Sequence, residues 1–298
     1  MNSASLRLFK AVAETGSIVG AAKRLHCVSS NVTTRLKQLE ANLNVSLFIR
    51  EKNRLYITPE GEHLLHYTNR ILALMDEAKA ALSEKKPVGP LHLGSMETTA
   101  AIRLPPLLSA FSQQEPMVEL NLRTMPTEQL IEQVLSSDLG IAFVADNVKL
   151  AHEKLSSAVL FHETLLLVTA KDHPSVRTAA DLRVCKPLAF RNGCNYRYRF
   201  ERWLNTQGVI APGIQEFGSF QAILGCVASG MGIALLPENV VREYEHRLAI
   251  RCHPIDPEIA DVDTRMVWLK SSEVSRVVTR FRDFAIHYAA MQNDDAPA

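Results

Sequence analysis

The chain has 298 residues, 47% of them hydrophobic and 22% charged, a balance that excludes a disordered polymer and allows two or three domains with buried cores. No apolar run reaches membrane-span length, and the opening MNSASLRLFK lacks the apolar core of a secretion signal. A cytoplasmic location with no membrane partner is therefore expected. Net charge is +1 but unevenly spread: residues 1–58 carry nine Lys and Arg against three Glu, leaving −5 on the remainder. A basic block joined to an acidic body points to a polyanion partner for the first part only.

Five cysteines (Cys27, Cys185, Cys194, Cys226 and Cys252) form no C-x-x-C pair, so neither a disulfide framework nor a metal site is expected, and no cofactor is implied. From Ser5, the stretch LRLFKAVAETGS places apolar residues at 6, 8, 9, 12 and 13 and stops at Gly16. Ser17 suits the cap of a second short helix, IVGAAKRL, ending near Leu25. His26 to Val28 turn the chain into a third helix with Val32, Leu36 and Leu39 on one stripe, and Ala22 is small enough for a close helix crossing. This pattern is a helix-turn-helix.

The third helix opens with Ser29, Ser30, Asn31, Thr33 and Thr34, mediocre helix formers. Their short hydroxyls and amide can reach base edges or phosphates from a helix lying in the major groove. Free N–H groups at the helix start favour phosphate as well. Arg35 is the candidate base contact and Lys37 the candidate phosphate contact. The competing reading, a solvated face of an ordinary amphipathic helix, is disfavoured by the spacing of all three helices.

In IREKNRLYITPEGE, a turn at Lys52-Asn53 predicts a hairpin wing that carries Arg50 and Arg54 towards the DNA backbone. Thr58-Pro59 matches the cap and first position of a helix over 59–85. Its stripe of Leu64, Leu65, Ile71, Leu72, Met75, Ala78 and Leu82 needs a covering helix, with a dimer partner as the first candidate.

EKKPVGP (84–90) reads as a hinge. Beyond it strands and helices alternate: LHLGS, a helix at about 99–113, VELNLR, a helix at about 127–136, and IAFVA. TLLLVTA, PLAF, a helix at about 197–206, IQEF, a helix at about 220–229 and IALLP follow, with a last helix over 273–290. That rhythm predicts an α/β fold with a largely parallel sheet.

The segments FKAVAETGSIVGAAKRL, TTRLKQLE, LFIR and TPEGE resemble the LysR-type transcriptional regulators, and LPPLLSAF, EPMVEL and VASGMGIALLP resemble the effector domain of the same family. The resemblance implies an N-terminal winged helix-turn-helix over 1–58, a linker and dimerisation helix over 59–86 and a hinge at 87–90. An effector-binding domain over 91–298 would follow. It would comprise two Rossmann-like subdomains of the type 2 periplasmic-binding-protein kind, subdomain I at about 91–162 and 269–298, subdomain II at about 163–268. It further implies a regulator of promoter DNA that pairs through helix 59–85 and assembles as a dimer of dimers, a homotetramer. RNA polymerase is a candidate partner, and a small-molecule co-inducer would sit between the subdomains. Two departures stand out. Val28-Ser29-Ser30 lacks the Gln that usually opens the recognition helix, and Gly140 stands where the family often has Asp.

Ligands of such sheets sit at the carboxyl ends of strands, near helix N-termini. Three loops qualify: SMETTAA with Thr98 and Thr99; RNGCNYR with Gly193, Cys194, Asn195 and Arg197; and EFGSFQ with Ser219 and Phe220. Capped helix starts plus an arginine suit a small carboxylate or other anion. Each residue has a plainer alternative. Thr98, Thr99 and Ser219 can be simple helix caps, and Arg197 can pair with Glu201 at i, i+4. Cys194 offers a thiol-responsive alternative if nearby arginines lower its pKa. An enzyme is disfavoured, since Gly230-Met231-Gly232 follows a helix and no P-loop, H-E-x-x-H or G-x-S-x-G is present. A solute-binding protein is disfavoured by the basic N-terminal block.

Overall fold

The computed structural model describes residues 2–51, 54–81, 87–146, 148–182, 186–206, 208–209 and 213–294. The chain divides into two compact units, the first essentially residues 1–84 and the second residues 85–298 apart from Ser136–Asp138.

The first unit begins with α1 (Ser3–Thr15), opened by a reciprocal cap between Asn2 and Ser5 and closed by Gly16 in the left-handed region at φ 59°. Helix α2 (Ile18–Arg24) follows, its Ser17 cap accepting the Gly20 N–H at 3.3 Å. Helix α3 (Ser29–Leu43) buries Val32, Leu36 and Leu39 against Leu8, Phe9, Val12, Ala21 and Ala22. Cys27 packs at the edge of this core. The wing is an antiparallel hairpin of β1 (Phe48–Glu51) and β2 (Arg54–Ile57), in a register that sets Glu51 opposite Arg54. Its turn, Lys52-Asn53, lies outside the described residues.

Helix α4 (Pro59–Ala81) starts as Thr58-Pro59 predicts, with Thr58 Oγ1 accepting the Gly61 N–H at 3.0 Å. The predicted continuation to residue 85 lies outside the described residues. Gly61 is required by space: a Cβ there would stand 2.4 Å from the Leu47 carbonyl oxygen and 2.6 Å from Ile57 Cγ1.

The second unit is built on a mixed sheet in the order β10-β6-β11-β5-β3-β4, with β9 also pairing with β6. Strand β3 (Gly89–Ser95) runs parallel to β4 (Val118–Thr124) and β5 (Ile141–Ala145). Helices α5 (Glu97–Ile102) and α6 (Leu104–Gln114) connect β3 to β4, and α7 (Thr127–Leu135) connects β4 to β5. The single helix predicted over 99–113 is thus two. Pro105 and Pro106 have no N–H to continue a ladder, so the chain resets at Arg103, which ends α5 and opens α6.

Strand β6 (Leu155–Ala170) carries the chain from one half of the unit to the other. Its first part pairs with β11 (Asp261–Leu269) and its last residues with β9 (Ala234–Pro237) and β10 (Ile250–Pro254), all antiparallel. These long crossing strands are why the sheet is mixed and not largely parallel. The second half contains β7 (Leu188–Phe190), α8 (Asn195–Thr206), the parallel partner β8 (Gln215–Phe217) and α9 (Phe220–Ala228). Helix α10 (Glu238–Glu245) and the short α11 (Pro257–Ala260) follow, and α12 (Arg276–Asp294) returns to pack on the first half through Phe281 against Phe111 and Phe143. Gly140 fits tightly under that helix: a Cβ would meet Leu91 Cδ1 and Val278 Cγ2 at 3.2 Å, so a larger residue requires those side chains to shift.

Candidate functional site

In the first unit, burial of Val32, Leu36 and Leu39 turns the opposite face of α3 outwards. Ser30, Asn31, Thr33, Thr34, Arg35 and Lys37 are all exposed on it, with Ser29 partly so. Val28 occupies the cap position and supplies no side-chain bond to the helix start, so the first-turn N–H groups have no side-chain cap. Thr33 Oγ1 donates to the Ser29 carbonyl at 3.0 Å. Behind this face Glu40 Oε1 accepts the N–H groups of Leu47 and Phe48, tying the end of α3 to the start of the wing. Arg50 and Arg54 occupy the predicted wing strands, opposite Leu55 and Glu51 respectively.

In the second unit a cavity of about 170 Å³ lies between the two halves. That is below the roughly 300–1,000 Å³ of sites for drug-sized ligands and fits a small metabolite. One wall comes from Glu97 and Thr98 of α5 and from Thr124 to Thr127 at the end of β4 and start of α7; the other carries Phe190, Arg191, Cys194, Tyr196 and Phe217. The lining combines apolar surface with a few convergent polar groups.

Of the expected contacts, Thr98 and Cys194 line the cavity. Thr98 Oγ1 is buried beside the Tyr196 hydroxyl without a well-formed hydrogen bond. It is not a cap, and neither is Thr99: both lie inside α5, whose cap position is Met96. Ser219 holds the cap position of α9, but its hydroxyl donates to Gln221 Oε1 at 2.6 Å instead of capping. The Phe220 N–H is taken by Glu97 Oε2 at 3.1 Å, while the Phe220 ring is buried against Tyr244.

Arg197 is committed elsewhere. Its Nε donates to Glu201 at 3.0 Å and its Nη1 to Glu216, so the i, i+4 alternative is the one realised, and the cation expected to hold an anion is already balanced. Asn195 Nδ2 donates to the Asp146 carbonyl at 2.6 Å, a structural tie. Gly193, at φ +86°, presents its carbonyl to the Glu128 N–H at 3.5 Å, in the first turn of α7.

Burial raises the Cys194 thiol pKa, outweighing the N–H groups of Arg197 and Tyr196 and the Arg197 charge that lower it. That is opposite to the lowered value expected of a reactive thiol. Burial likewise raises the Glu97 carboxyl, against the stabilising Phe220 N–H and Ser219 contacts.

The sequence reading misses Thr127, Glu97 and Arg191. Thr127 is fully buried and is one of the residues that line the cavity, and its Oγ1 has no hydrogen-bond partner among the described residues. Its loop, like the three chosen, follows the carboxyl end of a strand, so the same rule covers it. Arg191 carries the cationic side chain of the lining, its guanidinium lying near Gly218.

Residues 3–62 match the family described as bacterial regulatory helix-turn-helix protein, lysR family, and residues 84–290 the LysR substrate binding domain. Among curated relatives, the uncharacterized regulator YusT of Bacillus subtilis is 40% identical over 285 residues, 95% of each chain. GltR of the same species is 38% identical, covering 94% of this chain and 95% of its own. Among solved structures, a full-length OxyR variant from Pseudomonas aeruginosa superposes with a TM-score of 0.75 at 21% identity, covering 96% of this chain and 94% of its own. CbnR complexed with its target DNA gives 0.68 at 24%, covering 97% and 100%. The structures share the fold, and the relatives are transcriptional regulators, not enzymes. The chain belongs to the LysR family: it is a DNA-binding transcriptional regulator with an effector-binding domain.

Proposed function

We propose that this regulator changes its hold on promoter DNA when a small carboxylate, or a similar small anion, enters the cavity between the halves of its effector domain. The observation that carries the proposal is the buried, unpartnered hydroxyl of Thr127 at the start of α7, in a cavity whose lining also includes Thr98. A helix start is a favourable place for negative charge. The anion does not depend on Arg197; Arg191 supplies the positive wall. A small-molecule effector is favoured over a thiol signal because burial raises the Cys194 pKa, against the thiolate that such a signal needs.

On the DNA side, the exposed Ser29 to Lys37 face of α3 is the proposed reader. Arg35 would contact a base and Lys37 a phosphate, while Arg50 and Arg54 of the wing would add backbone contacts. Pairing through α4 would present two readers to an interrupted palindrome, and a dimer of dimers would hold two such sites. RNA polymerase is the partner through which a changed assembly would act, in the cytoplasm.

The test is a thermal-unfolding screen of the full chain against small carboxylates, repeated with Thr127→Val. A specific ligand at a hundredfold excess over Kd should stabilise the wild type by about 2.7 kcal/mol. Thr127→Val should lose most of that gain. Equal stabilisation of both proteins would move the site out of the cavity.

A further inference from the structure

Glu97 is unusual for the wall of an anion site. Its carboxylate lines the cavity, half-buried, and accepts the Phe220 N–H at 3.1 Å. Among the described residues no ion pair joins it to a lysine, arginine or histidine, Arg191 of the same lining included. Two hydrogen-bonding neighbours, Phe220 and Ser219, only partly offset the loss of water around the carboxylate. The cavity therefore presents a carboxylate without an ion-pair partner on one part of its lining. Elsewhere it presents the start of a nine-residue helix with a fully buried, unpartnered hydroxyl. A simple carboxylate satisfies the second feature and is repelled by the first. A simple amine does the reverse. A ligand carrying both charges within one small frame answers both, and a volume of about 170 Å³ suits a frame of that size.

Resting on the reading of this cavity as the effector site, we propose that the effector is a free amino acid. Its carboxylate is received at the N-terminus of α7 by Thr127, and its ammonium group is selected by Glu97. Glu97 is then the specificity determinant that separates amino acids from the carboxylic acids that share their side chains.

The experiment is calorimetric titration of the full-length protein with three matched sets: the common amino acids, the same acids lacking the amino group, and the amines lacking the carboxylate. At least one amino acid should bind, with both of its truncated counterparts at least tenfold weaker. Glu97→Gln keeps an oxygen acceptor for the Phe220 N–H but removes the charge. It should weaken the amino acid at least tenfold and bring it close to the deaminated acid. A deaminated acid that binds wild type as tightly as its amino acid overturns the role of Glu97 while leaving an anion site in the cavity. Absence of any amino-acid binding overturns the proposal outright. A bound ligand indifferent to both Glu97→Gln and Thr127→Val overturns the proposal and the cavity reading together.

Discussion

A buried hydroxyl without a partner costs about 1–3 kcal/mol, and the fold keeps one at Thr127. If that cost is retained for ligand binding, Thr127→Val should leave the ligand-free protein as stable or somewhat more stable while removing the response to effector. Calorimetric unfolding without ligand checks the first half; a loss above about 1 kcal/mol would mean that the hydroxyl has a partner in the free protein. At the reading face, Arg35→Ala should relax base preference at a cost of about 1–3 kcal/mol on the preferred site and little on other DNA. A selection experiment followed by competition binding reads that difference, and a uniform loss on all sequences would make Arg35 a phosphate contact. Legibility at this scale is uneven. The exposed polar face of α3 can be read because helix periodicity alone assigns its sides. Arg197 cannot, because its partners include Glu216, nineteen positions away and brought near only by β8. Glu97 is invisible for the same reason: it caps a helix that begins at Phe220.

Among the elements, the turn between the wing and α4 is packed without slack. Gly61→Ala places a methyl group against the Leu47 carbonyl and Ile57, so overpacking should cost the N-terminal unit about 1–3 kcal/mol. A thermal melt of the variant, with unchanged or higher stability, would show that the turn yields. Strand β10 carries a second sensitive point. His253 Nδ1 accepts the Val176 N–H at 3.1 Å, and its Nε2 faces Thr169 Oγ1 at 3.0 Å. Thr169 Oγ1 donates to the Ala170 carbonyl, so His253 Nε2 is the donor and the ring is neutral. Burial, then His173 and Arg251, hold its pKa below the ordinary 6.5. The unfolded chain therefore binds the extra proton first. The contribution of His253 is fully present above pH 6.5 and is lost as pH falls from there towards the lower folded value. Stability measured against pH should fall on acidification across this window and fall less in His253→Gln; identical slopes would exclude the histidine.

Most elements of both units are legible because caps, proline positions and apolar periods mark them locally. Strands β10 and β11 are not, since an expected strand–helix alternation has no place for two antiparallel returns. The break at Arg103 is hidden by the continuous apolar pattern around it, although Pro105 and Pro106 announce it.

At the scale of the molecule, a basic N-terminal unit and an acidic C-terminal body are already separable by charge, and both match the LysR family over their own lengths. What links them functionally is a coupling free energy, and coupling is reciprocal. The ligand favours one arrangement of the regulator only if it binds that arrangement more tightly. The most direct measurement is therefore the affinity of the full-length protein for its ligand, alone and saturated with a promoter fragment selected from genomic DNA. Control by the cavity predicts that DNA shifts ligand affinity several-fold, and that Thr127→Val removes ligand binding while the protein still takes up the DNA. Identical ligand affinity with and without DNA would contradict it.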